Sequence, residues 1–516
     1  MKNALLVVLV TALAACATPP VDPAPLESSF VRGRELLAAA VEAHGGEARI
    51  SALTAARVHL AGELSTGLQG PRPEAIQRPT KEGNFDIRVV LDLAGSRFRT
   101  AGEQQAMGGF DLPFTSIWSD GTLKFINSFP PSVTRLPVGD ADEGREQVAG
   151  IGVRMQPPLL LRLATLRMAS VRDEGSGQLV ERAVNRVSFN ADKNTRVTLL
   201  LDAATHRVLG LEQLAGDPLV GITTTRWVYA GEQHVDGLLL PRHASVQRRG
   251  HAFISVTLLD ARFDASAQVT DEDFAVDPRL AARIVPPLAI EELRPGLWEV
   301  SNAGRGNYRV HFAELPDRVV AYDAPVSPAV TRAVIAKLRE KVPGKPISHV
   351  VLSHFHDDHV GGARAFAEAG AILVTTADAR PVIERLMRAP APLAGLADVA
   401  PLPDLRFELV GDEHEIGGAG RSLKVLNARG SPHVNHMLVL HDVANRVAVA
   451  ADMYSDVAPF NPTFDWFAEW LASRAQVDLL AGAHHGATPL STVMQKRADW
   501  RAQPRPRADQ GKGSAS

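Results

Sequence analysis

Hydrophobic and polar positions alternate over much of the first half of the chain. The alternation runs from about residue 55 to 265 and is broken by turn residues, as in ARVHLAGEL, RVTLLLD and ISVTLLDARFD. A period of two predicts strands with one buried face. Before it, VRGRELLAAAVEAHGG has apolar residues at helical spacing and ends at Gly45 and Gly46, which predicts a helix. We therefore predict a mainly antiparallel β-sheet domain over residues 30–278.

The pattern changes after a proline-rich stretch, residues 279–290, which we interpret as a linker. Beyond it, YRVHFAEL and RVVAYDAP are typical of strands, and Ser327 followed by Pro328 predicts the start of a helix. The continuous apolar run ISHVVLS is typical of a strand that is buried on both faces. This alternation predicts an α/β domain over residues 291–495, with few contacts to the first domain.

The two ends of the chain predict segments outside these domains. Residues 1–16 contain Lys2 and then an apolar run from Ala4 to Ala15 that is too short to span a bilayer, which indicates an export signal. Residues 17–29 are proline-rich and predict a tether, and residues 496–516 predict a disordered tail.

The stretch LAAC, which ends at Cys16, resembles the lipobox of bacterial lipoproteins. That resemblance implies a lipid on Cys16 and a protein of the cell envelope that is anchored to a membrane. Ala17, not aspartate, follows the cysteine, and the resemblance to lipoprotein sorting in Gram-negative bacteria then implies the outer membrane, with the protein facing the periplasm. The alternative is a plain secretory signal in which Cys16 is incidental.

Composition narrows the possible chemistry. The 516 residues are 45% hydrophobic and 22% charged, with a net charge of -3, so there is no electrostatic case for nucleic acid as a partner. Cys16 is the only cysteine, which excludes disulfides, thiolate metal sites and a cysteine nucleophile in the folded part.

The strongest candidate site is the stretch VLSHFHDDHVGG, which places three histidines and two aspartates in six consecutive positions. These five residues follow the predicted strand ISHVVLS, at the end where open α/β sheets place their sites. Imidazole and carboxylate suit zinc or iron in a site without sulfur. His354 and His356 can face one centre, whereas Asp358 and His359 can face a second.

Further metal-binding residue types follow later predicted strands or turns. His433 comes after a Gly-Ser-Pro turn, Asp452 ends RVAVAAD, and His484 and His485 end DLLAGAHH. With the His-x-His-x-Asp-His loop, this order resembles the metallo-β-lactamase fold hydrolases. The resemblance implies an αββα sandwich for the C-terminal domain.

The same resemblance implies a set of ligands for two zinc ions, with iron or manganese as alternatives. One ion takes His354, His356 and His433, the other takes Asp358, His359 and His485, and Asp452 bridges them. His436 is an alternative to His433, and His484 is an alternative to His485. Asp358 is also implied to orient the attacking water.

The function that these residues indicate is metal-dependent hydrolysis of a small molecule by a bridging hydroxide. Candidate bonds are an ester, lactone, lactam, thioester or related group. Two alternatives remain: an iron-dependent, non-hydrolytic member of the same fold, and a lipoprotein that binds a hydrophobic ligand. In the last alternative the sheet domain carries the function and the metal domain is an accessory. The stretch RWVYAGEQHVDGLLLPRHASV loosely resembles the sheets of periplasmic lipoprotein-carrier-like domains, which supports the predicted fold of the first domain and not its function.

Overall fold

The computed structural model describes residues 25–65, 68–73, 81, 83–105, 111–128, 131–137, 141–217, 219–283, 286–304, 308–389, 402, 404–418, 420–456 and 459–503. The predicted export signal with Cys16 lies outside these residues, as do residues 17–24 of the predicted tether and residues 504–516 of the predicted tail. None of the described helices combines the length and the hydrophobicity that a membrane-spanning helix requires.

The first domain is built on one sheet of 14 strands. In chain order these are β1 (Ala55–Leu64), β2 (Gly83–Asp92), β3 (Arg97–Gln105), β4 (Asp111–Ser119), β5 (Thr122–Ser128), β6 (Pro131–Pro137), β7 (Arg172–Leu179), β8 (Arg182–Asn190), β9 (Arg196–Asp202), β10 (Val208–Asp217), β11 (Gly221–Val235), β12 (Leu238–Arg248), β13 (His251–Phe263) and β14 (Ala281–Ala282). Their order in the sheet is β14-β6-β5-β4-β3-β2-β1-β13-β12-β11-β10-β9-β8-β7. Among the described strands of this sheet, only the short pairing of β14 with β6 is parallel, so the predicted antiparallel sheet is confirmed.

Helices pack on this sheet and share its hydrophobic core. They are α1 (Pro25–Ala43), α2 (Glu47–Ser51), α3 (Ala141–Arg154) and α4 (Pro157–Leu166). Because α1 begins at Pro25, the last residues of the predicted tether are helical. A Cβ on Gly33 of α1 would lie 2.8 Å from the backbone nitrogen of Asp173, so glycine permits the close contact with β7. Helices α3 and α4 were not predicted.

The C-terminal domain contains two further sheets, one of 7 strands and one of 6. The first comprises β15 (Ala289–Arg294), β16 (Leu297–Ala303), β17 (Tyr308–Glu314), β18 (Val319–Tyr322), β19 (Ile347–Val351), β20 (Ile372–Thr375) and β21 (Phe407–Leu409), and the second β22 (Glu413–Gly418), β23 (Arg421–Arg429), β24 (His436–Asp442), β25 (Val447–Val449), β26 (Leu479–Ala481) and β27 (Thr488–Pro489). One hydrophobic core joins them, and the Tyr322 hydroxyl donates a hydrogen bond of 2.7 Å to the Leu438 carbonyl across it.

Helices complete the predicted αββα sandwich. They are α5 (Pro328–Arg339), α6 (Asp357–Val360), α7 (Ala363–Glu368), α8 (Arg380–Arg388), α9 (Pro462–Ala472) and α10 (Leu490–Ala502). Ser327 caps α5 as predicted, because its hydroxyl accepts from the Val330 backbone N–H. The predicted disorder from residue 496 is wrong as far as Ala502. There, Arg497 and Arg501 pair with Asp465 of α9 and so hold α10 against the domain.

The two domains make direct contacts through connections of the first sheet. Leu68, between β1 and β2, is 7% exposed and belongs to the core of the C-terminal domain. Leu219, between β10 and β11, is 3% exposed and belongs to the same core. The expectation of few contacts between the domains is therefore wrong at these two connections.

Candidate metal centre

The candidate centre is assembled at the carboxyl ends of neighbouring parallel strands. Asp323 follows β18, His354 follows β19, and the short helix α6 carries Asp358 and His359. Because β18 and β19 are parallel, their ends lie at the same edge of the sheet. The second sheet contributes the loops after β23, β25 and β26, so ligand-bearing loops from both sheets meet at one edge of the sandwich.

A first group of potential ligands brings together His354, His356, His433 and Asp452, whose ligand atoms all lie within 4.8 Å of one another. Nε2 of His354, Nδ1 of His356 and Nε2 of His433 are buried and make no hydrogen bond of acceptable geometry. Buried polar atoms are normally satisfied, so three unsatisfied nitrogens directed at one point fit a bound cation. The structure does not include His436 in this group.

A second group brings together Asp358, His359 and His484, again within 4.8 Å of one another. His359 is fully buried and Asp358 is half-buried, whereas the His484 side chain is 34% exposed. Nε2 of His359 lies 3.4 Å from Asp358 Oδ2 and 3.3 Å from Nε2 of His484. Nitrogen and carboxylate ligands in this arrangement suit zinc, iron or manganese.

Asp452 lies between the two groups. Its Oδ2 is 3.0 Å from Nε2 of His433, in the first group. Its Oδ1 is 2.9 Å from Nε2 of His359 and 3.0 Å from Nε2 of His484, in the second group. One carboxylate therefore presents a different oxygen to each group, which is the geometry that a bridging ligand requires.

The structure differs from the sequence prediction at His485. The ring of His485 turns away from the centre and packs edge-on against Tyr454, with 5.0 Å between the ring centroids. Its Nδ1 donates to the Gly486 carbonyl at 2.7 Å. A Cβ on Gly482 would lie 2.1 Å from Nε2 of His485, so this ring occupies the space over a glycine. Neighbouring residues direct their side chains differently, and His484 takes the position predicted for His485.

The imidazole rings are held by hydrogen bonds from their other nitrogen. Nδ1 of His354 lies 2.9 Å from Ser353 Oγ, and Nδ1 of His359 lies 2.9 Å from Asp323 Oδ2. Such contacts fix the tautomer and the orientation of a metal-binding histidine. Sequence reasoning missed Asp323, although its place directly after the strand VVAY was a usable signal.

Burial and neighbouring charges set the protonation states of the ligands. Burial, with the nearby His433, lowers the pKa of His356 to about 3, and burial also lowers the pKa of His354. Burial would raise the pKa of Asp452, but His359 and His484 hold it well below its usual value. His354, His356 and Asp452 are thus in the forms that bind metals, neutral imidazole and ionised carboxylate. Burial would lower the pKa of His359, but the carboxylates of Asp452, Asp358 and Asp323 hold it well above its usual value.

Asp358 is held from two sides by residues that sequence reasoning missed. The hydroxyl of Tyr308 donates to its Oδ2 at 3.0 Å, and Nε2 of Gln69 donates to its Oδ1 at 2.8 Å. Burial and the adjacent Asp358 raise the pKa of Tyr308, so this hydroxyl stays protonated. Tyr308 begins a predicted strand, but the sequence around it carried no signal for a place at the centre.

Four other histidines of this domain, His311, His349, His414 and His441, belong to neither group. His311 pairs with Glu299, His414 with Glu408, and His441 with the Gln476 carbonyl, whereas His349 contacts Ser348. The aromatic residues of α9 mostly pack: Phe464 and Phe467 are buried, and Trp466 stacks on Trp470.

Comparison with known proteins identifies one part of the chain. The sequence model of the metallo-β-lactamase superfamily matches residues 318–455. No curated protein sequence matches.

Solved structures with a similar arrangement include a metallo-β-lactamase from Hirschia baltica, with 17% identity over 41% of this chain and 97% of that chain, at a TM-score of 0.33. A mono-zinc metallo-β-lactamase from Pseudomonas aeruginosa has 15% identity over 42% of this chain and 98% of that chain, with a TM-score of 0.33. A stereoselective inverting sec-alkylsulfatase from a Pseudomonas species has 18% identity over 42% of this chain and 41% of that chain, with a TM-score of 0.32.

The matched residues 318–455 contain His354, His356, Asp358, His359, His433 and Asp452, the proposed ligands apart from the one after β26. The fold around them is the predicted αββα sandwich, which is typical of metal-dependent hydrolases. The C-terminal part of the chain is therefore a domain of the metallo-β-lactamase superfamily.

Proposed function

We propose that the chain is a metal-dependent hydrolase with two metal ions, zinc in the first instance, that cleaves an ester, lactone, lactam, thioester or related bond in a small molecule. One observation carries the proposal: Asp452 presents Oδ2 to His433 at 3.0 Å and Oδ1 to His359 at 2.9 Å. A structural zinc site is usually closed by four ligands. Seven nitrogen and oxygen ligands shared by two cations leave coordination positions for water and substrate, which favours catalysis.

A pair of zinc ions in these two groups would lower the pKa of a water molecule and polarise the bond under attack. His354, His356 and His433 are the residues that would hold the first ion. Asp358, His359 and His484 would hold the second, and Asp452 would serve both.

The chain's own residues keep this set in place during the reaction. Asp323 Oδ2 accepts a hydrogen bond of 2.9 Å from Nδ1 of His359, which keeps Nε2 of His359 directed at the second metal position. Tyr308 donates to Asp358 Oδ2 at 3.0 Å, which limits the rotation of a carboxylate that we propose also orients the attacking water. Catalysis gains from such preorganisation because the groups need not reorient when charge develops.

A hydrolysis screen tests the proposal. Protein stripped of metal with a chelator is reloaded separately with zinc, iron(II) or manganese(II) and assayed on ester, lactone, lactam and thioester substrates. We expect hydrolysis of at least one class that is lost on stripping and restored by reloading, with metal-stripped protein as the control. A protein that binds no metal and has no metal-restorable activity on any class would contradict the proposal.

We also propose that the mature chain is a lipoprotein of the cell envelope, held by lipid on Cys16 and facing the periplasm from the outer membrane. The lipobox-like sequence before Cys16 supports this. The substrate would then be a small molecule that reaches the envelope.

A further inference from the structure

A short segment of the first domain reaches the candidate metal centre. Residues 68–73 lie in sequence between β1 and β2 of the large sheet, far from the metal-binding residues. Leu68 is buried in the core of the C-terminal domain, and the carbonyl of Pro71 accepts a hydrogen bond of 2.9 Å from the Asn435 backbone N–H. Asn435 lies two residues after His433. The segment is thus fixed on both sides of Gln69 and Gly70.

Gly70 contacts one of the ligands of the first group. Nε2 of His356 donates to the Gly70 carbonyl at 2.9 Å across 286 positions of sequence. A proton on Nε2 leaves Nδ1 as the atom with a free lone pair, and Nδ1 is the nitrogen that is buried without a hydrogen bond. The carbonyl of Gly70 therefore selects the tautomer of His356 that can bind a metal through Nδ1.

Gln69 contacts the carboxylates beside the second group. Its Nε2 donates to Asp358 Oδ1 at 2.8 Å and to Asp357 Oδ1 at 2.8 Å. The amide nitrogen of Gln69 thus donates one of its two hydrogens to each of two adjacent carboxylates. Because Oδ1 of Asp358 accepts from Gln69, Oδ2 is the oxygen that faces both the Tyr308 hydroxyl and His359, at 3.4 Å from Nε2 of His359.

The other supporting contacts come from the C-terminal domain, in which Tyr308 contacts Asp358. Ser353 supports His354, and Asp323 supports His359, both inside residues 318–455. Gln69 and Gly70 lie outside that range. Taken alone, the metallo-β-lactamase domain therefore lacks these partners for His356 and Asp358.

We propose that residues 68–73 are a positioning segment of the metal centre, in which Gly70 orients His356 for the first ion and Gln69 orients Asp358 for the second. This inference rests on the proposed function only in that the two groups bind metal. It assigns to the β-sheet domain a part in metal binding, through residues that touch ligands and not the metal.

Gln69 provides the test, because its contact is made by a side chain. Metal-free full-length protein is titrated with zinc against a chromophoric chelator, and with cobalt(II) to record the absorption bands of each bound ion. Loss of a residue that supports a metal ligand typically lowers metal affinity about 10- to 100-fold. We expect Gln69→Ala to lower the affinity for the second ion by this factor and to change the cobalt(II) spectrum of that ion. The affinity for the first ion should stay within about threefold of the wild-type value.

Three further variants extend this test. Gln69→Glu should bind the second ion no more tightly than Gln69→Ala does. It removes the N–H donor and adds a third negative charge beside Asp357 and Asp358. Gln104→Ala, at an exposed position of β3 in the same sheet, is the matched control and should bind both ions as the wild type does. If Gln69→Ala is not recovered folded, Gln69→Asn serves instead, because its shorter side chain cannot reach both carboxylates.

Equal affinities and identical cobalt(II) spectra in wild type and Gln69→Ala would overturn the inference, even if the protein proves to be a hydrolase. Conversely, the predicted loss of the second ion would support it even if no substrate is hydrolysed. The outcome is therefore independent of the outcome of the substrate screen.

Discussion

Asp323 holds His359 through a hydrogen bond of 2.9 Å between Oδ2 and Nδ1, while its Oδ1 accepts the Ser353 backbone N–H at 2.9 Å. Asp323 has a φ of 66°, in the left-handed region that is rare for residues other than glycine. A strained backbone at a functional site is maintained by the contacts around it. One carboxylate thus ties the end of β18 to the loop that carries the first histidines.

Asp323→Asn is expected to weaken binding of the second metal ion by about 10- to 100-fold, because an amide cannot stabilise the imidazole as a carboxylate does. The measurement is zinc affinity by chelator competition. Asp317→Asn, at an exposed position of the same domain, is the control. Unchanged zinc affinity in Asp323→Asn would show that this contact does not support the centre.

Asp452→Ala should separate the two metal positions. Because this carboxylate contacts both groups, its loss should leave fewer than two ions per chain and remove most of the metal-dependent hydrolysis. Metal content and rate are measured together, with circular dichroism to verify folding. Asp478→Ala, which removes an exposed partner of Arg446, should keep both ions and the full rate. Two ions and full activity in Asp452→Ala would refute the bridging role.

His484→Ala and His485→Ala are a matched pair of adjacent residues. We expect His484→Ala to lose the second ion, since Nε2 of His484 lies 3.0 Å from Asp452 Oδ1. His485→Ala should retain both ions and instead lower thermal stability, because it leaves a cavity beside Tyr454. Metal content and melting temperature distinguish the two, and the reverse pattern would restore the ligand that the sequence predicted.

Acid should destabilise the first domain through His44. Burial lowers its pKa from 6.5 to about 4, so the unfolded chain takes up a proton more readily than the folded chain between these values. The contribution of His44 to the free energy of unfolding is therefore fully present above pH 6.5 and is lost as the pH falls towards 4. Between pH 7 and pH 5 the loss is about 2 kcal/mol. In metal-free protein, His44→Gln should show a smaller loss of unfolding free energy over this range. An equal loss would exclude His44 as the cause.

Cys16→Ser tests the proposed lipid anchor. The wild-type chain should fractionate with membranes and take up labelled fatty acid, whereas the variant should do neither, because serine lacks the thiol that accepts the lipid. Cell fractionation and lipid labelling are the measurements. Membrane association and labelling that persist in Cys16→Ser would contradict the anchor.

The sequence predicted the main architecture because the two domains have different periodicities. Alternation marked the strands of the large sheet, and the apolar run ISHVVLS located β19 and the histidines that follow it. Helices α3 and α4 were not predicted because they interrupt a region in which hydrophobic and polar residues mostly alternate with a period of two. The order of residues along the chain also predicted which histidines gather after β19 and β23.

Other features of the site could not be read from the sequence. The direction of a side chain after β26 depends on the local path of the backbone, so the choice between His484 and His485 needed coordinates. The contact of Gly70 with His356 joins residues 286 positions apart. Every residue has a backbone carbonyl, so the residue type at position 70 does not indicate this contact. Tyr308 similarly faces Asp358 only because β17 and α6 approach each other in the folded domain.

The hydrogen bond between His356 and the Gly70 carbonyl has a thermodynamic consequence for the whole molecule. If docking of residues 68–73 favours metal binding, then metal binding favours docking by the same factor, because the two equilibria are linked. Loading the centre should therefore tighten the association of the two domains and protect amides near β1 and β2 from hydrogen exchange. Hydrogen exchange in the large sheet would then depend on whether metal is bound at a site outside that sheet.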